Sequence, residues 1–158
     1  MHALRPATPE DAHAIAQVWH GAWHDAHADH VPSALIRHRA MDHFLARAPE
    51  LIDHSTVAED ASGVLGFVTV TDDELEFLFV AAQARGTGAA ADLLARGERQ
   101  LAKGYDSAWL EVVTGNARAR RFYERHGWID RGERDGVIDT ASGRLVVAYH
   151  RYEKRLRT

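Results

Sequence analysis

The stretch Val80-Ala-Ala-Gln-Ala-Arg85-Gly86-Thr87-Gly88-Ala89-Ala90-Ala91-Asp92-Leu93-Leu94 reads as a strand that enters a glycine turn and opens a helix. Glycines and small alanines let backbone N–H groups approach a ligand closely, and the unpaired N–H groups and dipole of a new helix favour negative charge. A diphosphate is the natural guest of such a turn. The same residues also suit a helix start that needs glycine for geometry alone. No Gly-Lys-Ser/Thr follows, so the segment is not a P-loop, and alanine at position 91 breaks the Gly-x-Gly-x-x-Gly pattern of dinucleotide folds.

Just upstream, strand alternation places Glu74 and Glu76 on one side with Leu78 and Val80, and paired carboxylates tend to raise one of their pKa values. Tyr123 follows Phe122 on an amphipathic helix. Its spacing fits a half-buried aromatic, and its hydroxyl is a donor that stays neutral at pH 7. Arg118, Arg120, Arg121 and Arg125 make that helix basic, as a solvated face or as help for a phosphate. The chain has 11 histidines, and seven lie from His13 to His43. His20, His24, His27 and His30 are spaced 4, 3 and 3, a pattern that on one unbroken helix would point toward a metal. Trp19 and Trp23 mark an apolar helix end, and a break before Pro32 would scatter the later pair, so no metal site is expected.

The elements that must position these groups follow from period and punctuation. Residues 2–6 read as a strand; Thr8 as N-cap, Pro9 at the first helical position and acids at 10 and 11 start a helix that runs to about residue 24. A second helix is expected from about Ser33 through Leu45 and ended by Pro49. Ser55–Glu59, Val64–Thr71 and Glu74–Val80 read as an antiparallel meander. Then come a helix over Gly86–Lys103, a strand over Ala108–Thr114, a helix over Ala117–His126, and strands over Trp128–Arg134 and Leu145–Glu153.

A chain of 158 residues with 46% hydrophobic and 27% charged residues has the composition of one folded domain, and no linker, repeat or biased tract divides it. The absence of cysteine excludes disulfides, thiolate metal sites and cysteine nucleophiles. No basic-then-apolar leader and no apolar run of ~18 residues is present, so a cytoplasmic protein away from membranes is expected. With 19 basic against 23 acidic residues the net charge of −4 argues against a nucleic-acid partner.

The turn Arg85-Gly-Thr-Gly88-Ala-Ala90 resembles the acetyl-CoA site of the GNAT N-acetyltransferase superfamily. A second register, Gln83-Ala-Arg-Gly86-Thr-Gly88, also fits, but the first puts Leu93-Leu94 at the family's paired leucines. The segment Asn116-Ala-Arg-Ala119-Arg-Arg-Phe122-Tyr123-Glu124-Arg-His-Gly127-Trp128 is similar to the family's last block, and Ala82 stands where many members have proline. The resemblance covers nearly the whole chain. It implies an α+β (mixed α/β) fold over residues 1–158, with a mostly antiparallel twisted sheet of about seven strands and about four flanking helices.

It also implies that the backbone of Leu78, Phe79 and Val80 pairs with the pantetheine arm of acetyl-CoA, that turn amides from Arg85 through Gly86, Thr87, Gly88 and Ala89 to Ala90 hold the pyrophosphate, and that Asn116 closes the far side. Tyr123 takes the general-acid position toward the CoA thiolate. Glu74 or Glu76, directly or through water, is the expected base for an acceptor amine that is mostly protonated at pH 7. Trp23, His24 and His27 are candidates for the acceptor wall. The implied activity is direct acetyl transfer from acetyl-CoA to a primary amine of a small molecule or protein, for which a cysteine-free chain is suited. The alternative from another class is a non-catalytic acyl-CoA sensor or interaction module. A homodimer through the long last strand is a further expectation.

Overall fold

A computed structural model describes residues 1–157. Strands β1 (Ala3–Pro6), β2 (Ser55–Asp60), β3 (Gly63–Thr71), β4 (Glu74–Val80), β5 (Ser107–Val113), β6 (Ile129–Thr140) and β7 (Gly143–Arg155) form one sheet in the order β1-β2-β3-β4-β5-β7-β6. Every neighbour pair is antiparallel except β4–β5. Helices α1 (Ala12–His27), α2 (Ser33–His38), α3 (Met41–Leu51), α4 (Ala89–Ala102) and α5 (Ala117–Arg125) complete the chain.

Period-two alternation divides the core between the two faces of the sheet. Val57 and Phe67 point into a cluster with Ile15, Trp19, Phe44 and Leu51 of α1 and α3. Their neighbours Ala58 and Val68 point the other way, onto Leu93, Leu94 and Leu101 of α4 and onto Tyr123 and Trp128. The paired leucines of α4 are almost wholly buried, which fixes the helix that begins at the glycine turn.

Two features of the fold shape the site. First, β4 and β5 pair only at Glu74 and Trp109, after which the two strands diverge. Second, β4 carries one residue more than β3 between the pairs Leu75–Val70 and Phe77–Thr69, so Glu76 is a bulge. The bulge reverses the expected alternation. Leu75, not Glu74 or Glu76, shares the α4-side core with Leu78 and Val80, while Phe77 and Phe79 join the α1 side.

The single helix expected from Ser33 is two helices. Arg39 and the extended Ala40 interrupt it, and the His24 ring donates to the Arg39 carbonyl at 2.6 Å, which takes that carbonyl out of any helical ladder. Pro49 lies inside the last turn of α3 instead of ending the helix before it. The final hairpin is longer than its sequence signals. Its strands extend to a tight turn at Ala141-Ser142 closed by the Thr140–Gly143 pair, and β6 is largely exposed and rich in charge and glycine, which hides it from a hydrophobic pattern.

Candidate active site

The divergence of β4 from β5 opens a cleft whose two ends differ in chemistry. At one end is a groove of about 330 Å³ walled by Leu78, Phe79 and Val80 of β4, the turn at Arg85, Gly86 and Gly88, and the start of α4 at Ala90 and Ala91. Beyond the Glu74–Trp109 contact, the β4 edge that faces β5 has no strand partner among the described residues, so its backbone groups are open to an extended ligand.

The turn owes its form to two glycines. Gly86 (φ +80°) and Gly88 (φ +86°) are in the left-handed region, and a side chain at either position would be strained although the space beside it is open. The Arg85 amide donates to the Ala82 carbonyl, the Thr87 amide to the Ala84 carbonyl, and the Ala89 amide to Thr87 Oγ1. The amides of Gly86, Gly88, Ala90 and Ala91 have no acceptor among the described residues and sit on the groove. Thr87 and Ala89 are therefore turn-forming residues that do not line the groove. Four open donors at a helix start, with the side chains of Arg118 and Arg125 on the opposite wall, suit a diphosphate. Arg85 also reaches across to Asp25 of α1 at 3.1 Å.

Ala22 and Ala26, one turn apart on α1, line the same groove and leave it room. Nothing in the sequence marks them, because alanine at such spacing is ordinary in any helix. Of the arginines on α5, Arg120 serves elsewhere: it donates to Tyr152 Oη at 3.1 Å and pairs with Asp130 at 3.3 Å.

At the other end of the cleft is a cavity of about 280 Å³ lined by Trp23 and His27 of α1, Glu76 through Phe79 of β4, Glu111 of β5, and Tyr149 of β7. Asn116 and Tyr123 line both spaces. Asn116 caps α5, its Oδ1 accepting from the Ala119 amide at 3.3 Å, which fixes the side chain between groove and cavity. Tyr123 is 7% exposed. Burial pushes its hydroxyl well above the usual phenol range, so it remains a neutral donor across ordinary pH.

Glu74 stands at the base of the fork, in the pair that joins β4 to β5, and does not line the cavity. Burial pushes its carboxyl up to about 7, and Glu76, Glu111 and Asp73 act in the same direction against Arg151. His27 is nearly buried, its Nδ1 has no hydrogen-bond partner among the described residues, and burial holds the ring neutral with a pKa lowered to about 4. His24 does not reach the cavity; its ring nitrogen is committed to the Arg39 carbonyl. His20 packs on His24 and Phe44, and His30 lies against Gly115. Glu111 and Tyr149 carry no signal in the sequence, because β5 and β7 come beside the cavity only in the folded sheet.

A family model described as the acetyltransferase (GNAT) domain matches residues 52–130, half of the chain. The chain belongs to the GNAT acetyltransferase family. Solved structures of the same fold include a GCN5-related N-acetyltransferase from Rhodopseudomonas palustris, with TM-score 0.76, 19% identity, and 97% of this chain and 94% of the other covered. The PaiA N-acetyltransferase from Thermoplasma acidophilum, solved with coenzyme A, has TM-score 0.68 and 19% identity over 98% and 99% of the two chains. YncA from Salmonella typhimurium, solved with its cofactor acetyl-CoA, has TM-score 0.69 and 17% identity over 100% and 95%. No curated protein gives a significant sequence match. Among the described residues of this acetyltransferase, no helix is long and apolar enough to cross a membrane.

Proposed function

We propose that this acetyltransferase carries the acetyl group of acetyl-CoA directly to a primary amine, with no covalent enzyme intermediate. The observation that carries the reading is the continuity of the cleft: a groove with open amides and arginines runs into an acid-walled cavity, and Asn116 and Tyr123 face both. The groove accepts acetyl-CoA, with the turn amides of Gly86, Gly88, Ala90 and Ala91 on the pyrophosphate and the open edge of Leu78–Val80 along the pantetheine arm.

The acceptor enters the cavity as an ammonium, drawn by Glu76 and Glu111. A carboxylate with a pKa near the working pH is an effective base, and Glu74, at about 7, meets that condition, with a water as the relay between it and the amine. The freed amine attacks the thioester carbonyl. The C–N bond forms, the C–S bond breaks, and Tyr123 gives its proton to the departing thiolate; the products are the acetylated amine and CoA with a free thiol. The proton taken from the ammonium leaves through Glu74 to solvent.

Thermal stabilisation by acetyl-CoA tests the groove, and thiol release across a panel of amines tests transfer. Stabilisation together with amine-dependent release is the expected result. Stabilisation without release for any amine would replace the proposal with a non-catalytic acyl-CoA sensor.

A further inference from the structure

Besides Tyr123, the acceptor cavity is lined by the aromatic side chains of Trp23, Phe77, Phe79 and Tyr149. All four are half-buried. Phe44 and Phe67, in the core cluster that Trp23, Phe77 and Phe79 flank, are closed off at 1% and 0% exposure, so it is on the cavity side that aromatic surface is left uncovered. The rings are held in place by their neighbours. Phe77 and Phe79 stack with centroids 6.4 Å apart and planes 30° apart, and the His27 ring packs against Trp23 at 5.0 Å. Arg39 and Arg47 lie over the Trp23 and Phe77 rings, each at 5.9 Å, and neither arginine lines the cavity. Fixed rings with open surface suit another flat apolar group, which gains both burial and aromatic contact there.

The charge on the same wall has one sign. Glu76 and Glu111 line the cavity, no lysine or arginine among the described residues does, and His27 is held neutral by burial. The cofactor groove is the reverse, with Arg85, Arg118 and Arg125 on it. A cavity with carboxylates and no cation draws an ammonium and repels a carboxylate or phosphate. Further ammonium or hydroxyl groups, as on a polyamine or a sugar, would lie against the rings and lose water without a partner. Glu76 adjoins Phe77 in β4 and both line the cavity, so a short arm is enough to join an ammonium to a ring.

We propose that the acceptor is a primary amine on a short arm from an aromatic ring, with no acid group, its ammonium toward Glu76 and Glu111 and its ring against Trp23, Phe77, Phe79 and Tyr149. This rests on the transfer reading above and names the substrate class of the same site. A volume of about 280 Å³ suits one ring and its arm.

The test measures thiol release at saturating acetyl-CoA with 2-phenylethylamine, with n-propylamine, which lacks the ring, with L-phenylalanine, which adds a carboxylate, and with spermidine, in the wild type and in the Trp23→Leu and E76Q/E111Q variants. 2-Phenylethylamine should be used with kcat/KM about tenfold or more above each of the others, the discrimination expected from burying one ring. Trp23→Leu keeps the wall apolar and removes a ring, so it should shrink the lead over n-propylamine severalfold through KM, with KM for acetyl-CoA unchanged. E76Q/E111Q should raise KM for 2-phenylethylamine and narrow its lead over L-phenylalanine, whose carboxylate then meets no like charge. Wild-type use of n-propylamine, spermidine or L-phenylalanine equal to that of 2-phenylethylamine overturns the proposal. So does an equal loss of 2-phenylethylamine and n-propylamine in Trp23→Leu, or an unchanged lead over L-phenylalanine in E76Q/E111Q. If no amine of any kind releases thiol although acetyl-CoA stabilises the protein, the transfer reading fails. Calorimetric titration of 2-phenylethylamine into the CoA-loaded protein then decides the site: binding that Trp23→Leu weakens supports it, and no binding, or binding that Trp23→Leu leaves unchanged, overturns it.

Discussion

Replacing Glu74 with glutamine probes the strand fork through folding as well as through turnover. The carboxyl has an ordinary value of 4.5 in the unfolded chain and is pushed up to about 7 in the folded one, by burial first and then by Glu76, Glu111 and Asp73. Between these values the native state keeps a proton that the unfolded state has released. The contribution of Glu74 to stability is therefore fully present below pH 4.5, declines as pH rises through about 7, and is level beyond that. The whole shift corresponds to ~3 kcal/mol, and solvent screening of a partly exposed group reduces the expected effect to about 1–2 kcal/mol. Glutamine keeps the shape and never ionises. E74Q should match the wild type near pH 4.5 and exceed it by about 1–2 kcal/mol above pH 8, read as urea midpoints at constant slope. The same variant should turn over about 10²-fold more slowly and lose the rising pH limb centred near 7, while acetyl-CoA still stabilises it. A stability difference that is the same at every pH would refute the buried-carboxylate electrostatics, and a retained limb in E74Q would remove Glu74 from the reaction as its base.

Two further substitutions separate the ends of the cleft. Tyr123→Phe removes a proton donor and little volume, so turnover should fall by about ten- to a hundredfold with acetyl-CoA stabilisation unchanged; unchanged turnover for every accepted amine removes Tyr123 from the reaction. In Gly136→Ala the new methyl would occupy the place of the Tyr149 hydroxyl, which lies across that glycine on the neighbouring strand. Tyr149 must then leave the cavity wall, and KM for the acceptor should rise severalfold while KM for acetyl-CoA holds; an unchanged acceptor KM would show that Tyr149 does not shape the pocket.

The parts of the fold that the sequence reveals are those set by local backbone chemistry. Gly86 and Gly88 are legible because a left-handed turn before a helix demands glycine, and the β2–β3–β4 meander because its alternation is strong. Asn116 and Tyr123 are legible through the family pattern, and the structure puts both at the junction of groove and cavity. What escapes depends on contacts between distant segments. His24 belongs to the same histidine series as His27, yet a carbonyl fifteen residues on claims its ring while His27 is buried at the cavity. Arg39 and Arg47 look like ordinary surface charges until the α2–α3 break brings them over Trp23, Trp19 and Phe77. Extrapolating alternation through Glu76 misplaces Glu74, since a one-residue bulge leaves no trace in composition.

That bulge links the fold to the chemistry. An extra residue raises the local twist of a strand, and Glu76 is inserted two residues after Glu74, the last residue of β4 in a ladder with β5. Removing Glu76 would leave Leu75 and Phe77 as consecutive residues opposite Val70 and Thr69, so Leu75, Phe77, Leu78 and Phe79 would keep the faces they now have. A chain lacking Glu76 should thus fold with its core intact, judged by a cooperative urea transition. A straighter β4 would be free to pair further along β5 and close the edge on which Leu78–Val80 now lie open. Stabilisation by acetyl-CoA should then be lost altogether, beyond any loss seen when Glu76→Gln removes the charge and keeps the bulge. Full stabilisation of the shortened chain would mean that the cleft is held open by the α4 and α5 cores alone, and that Glu76 serves only as a carboxylate.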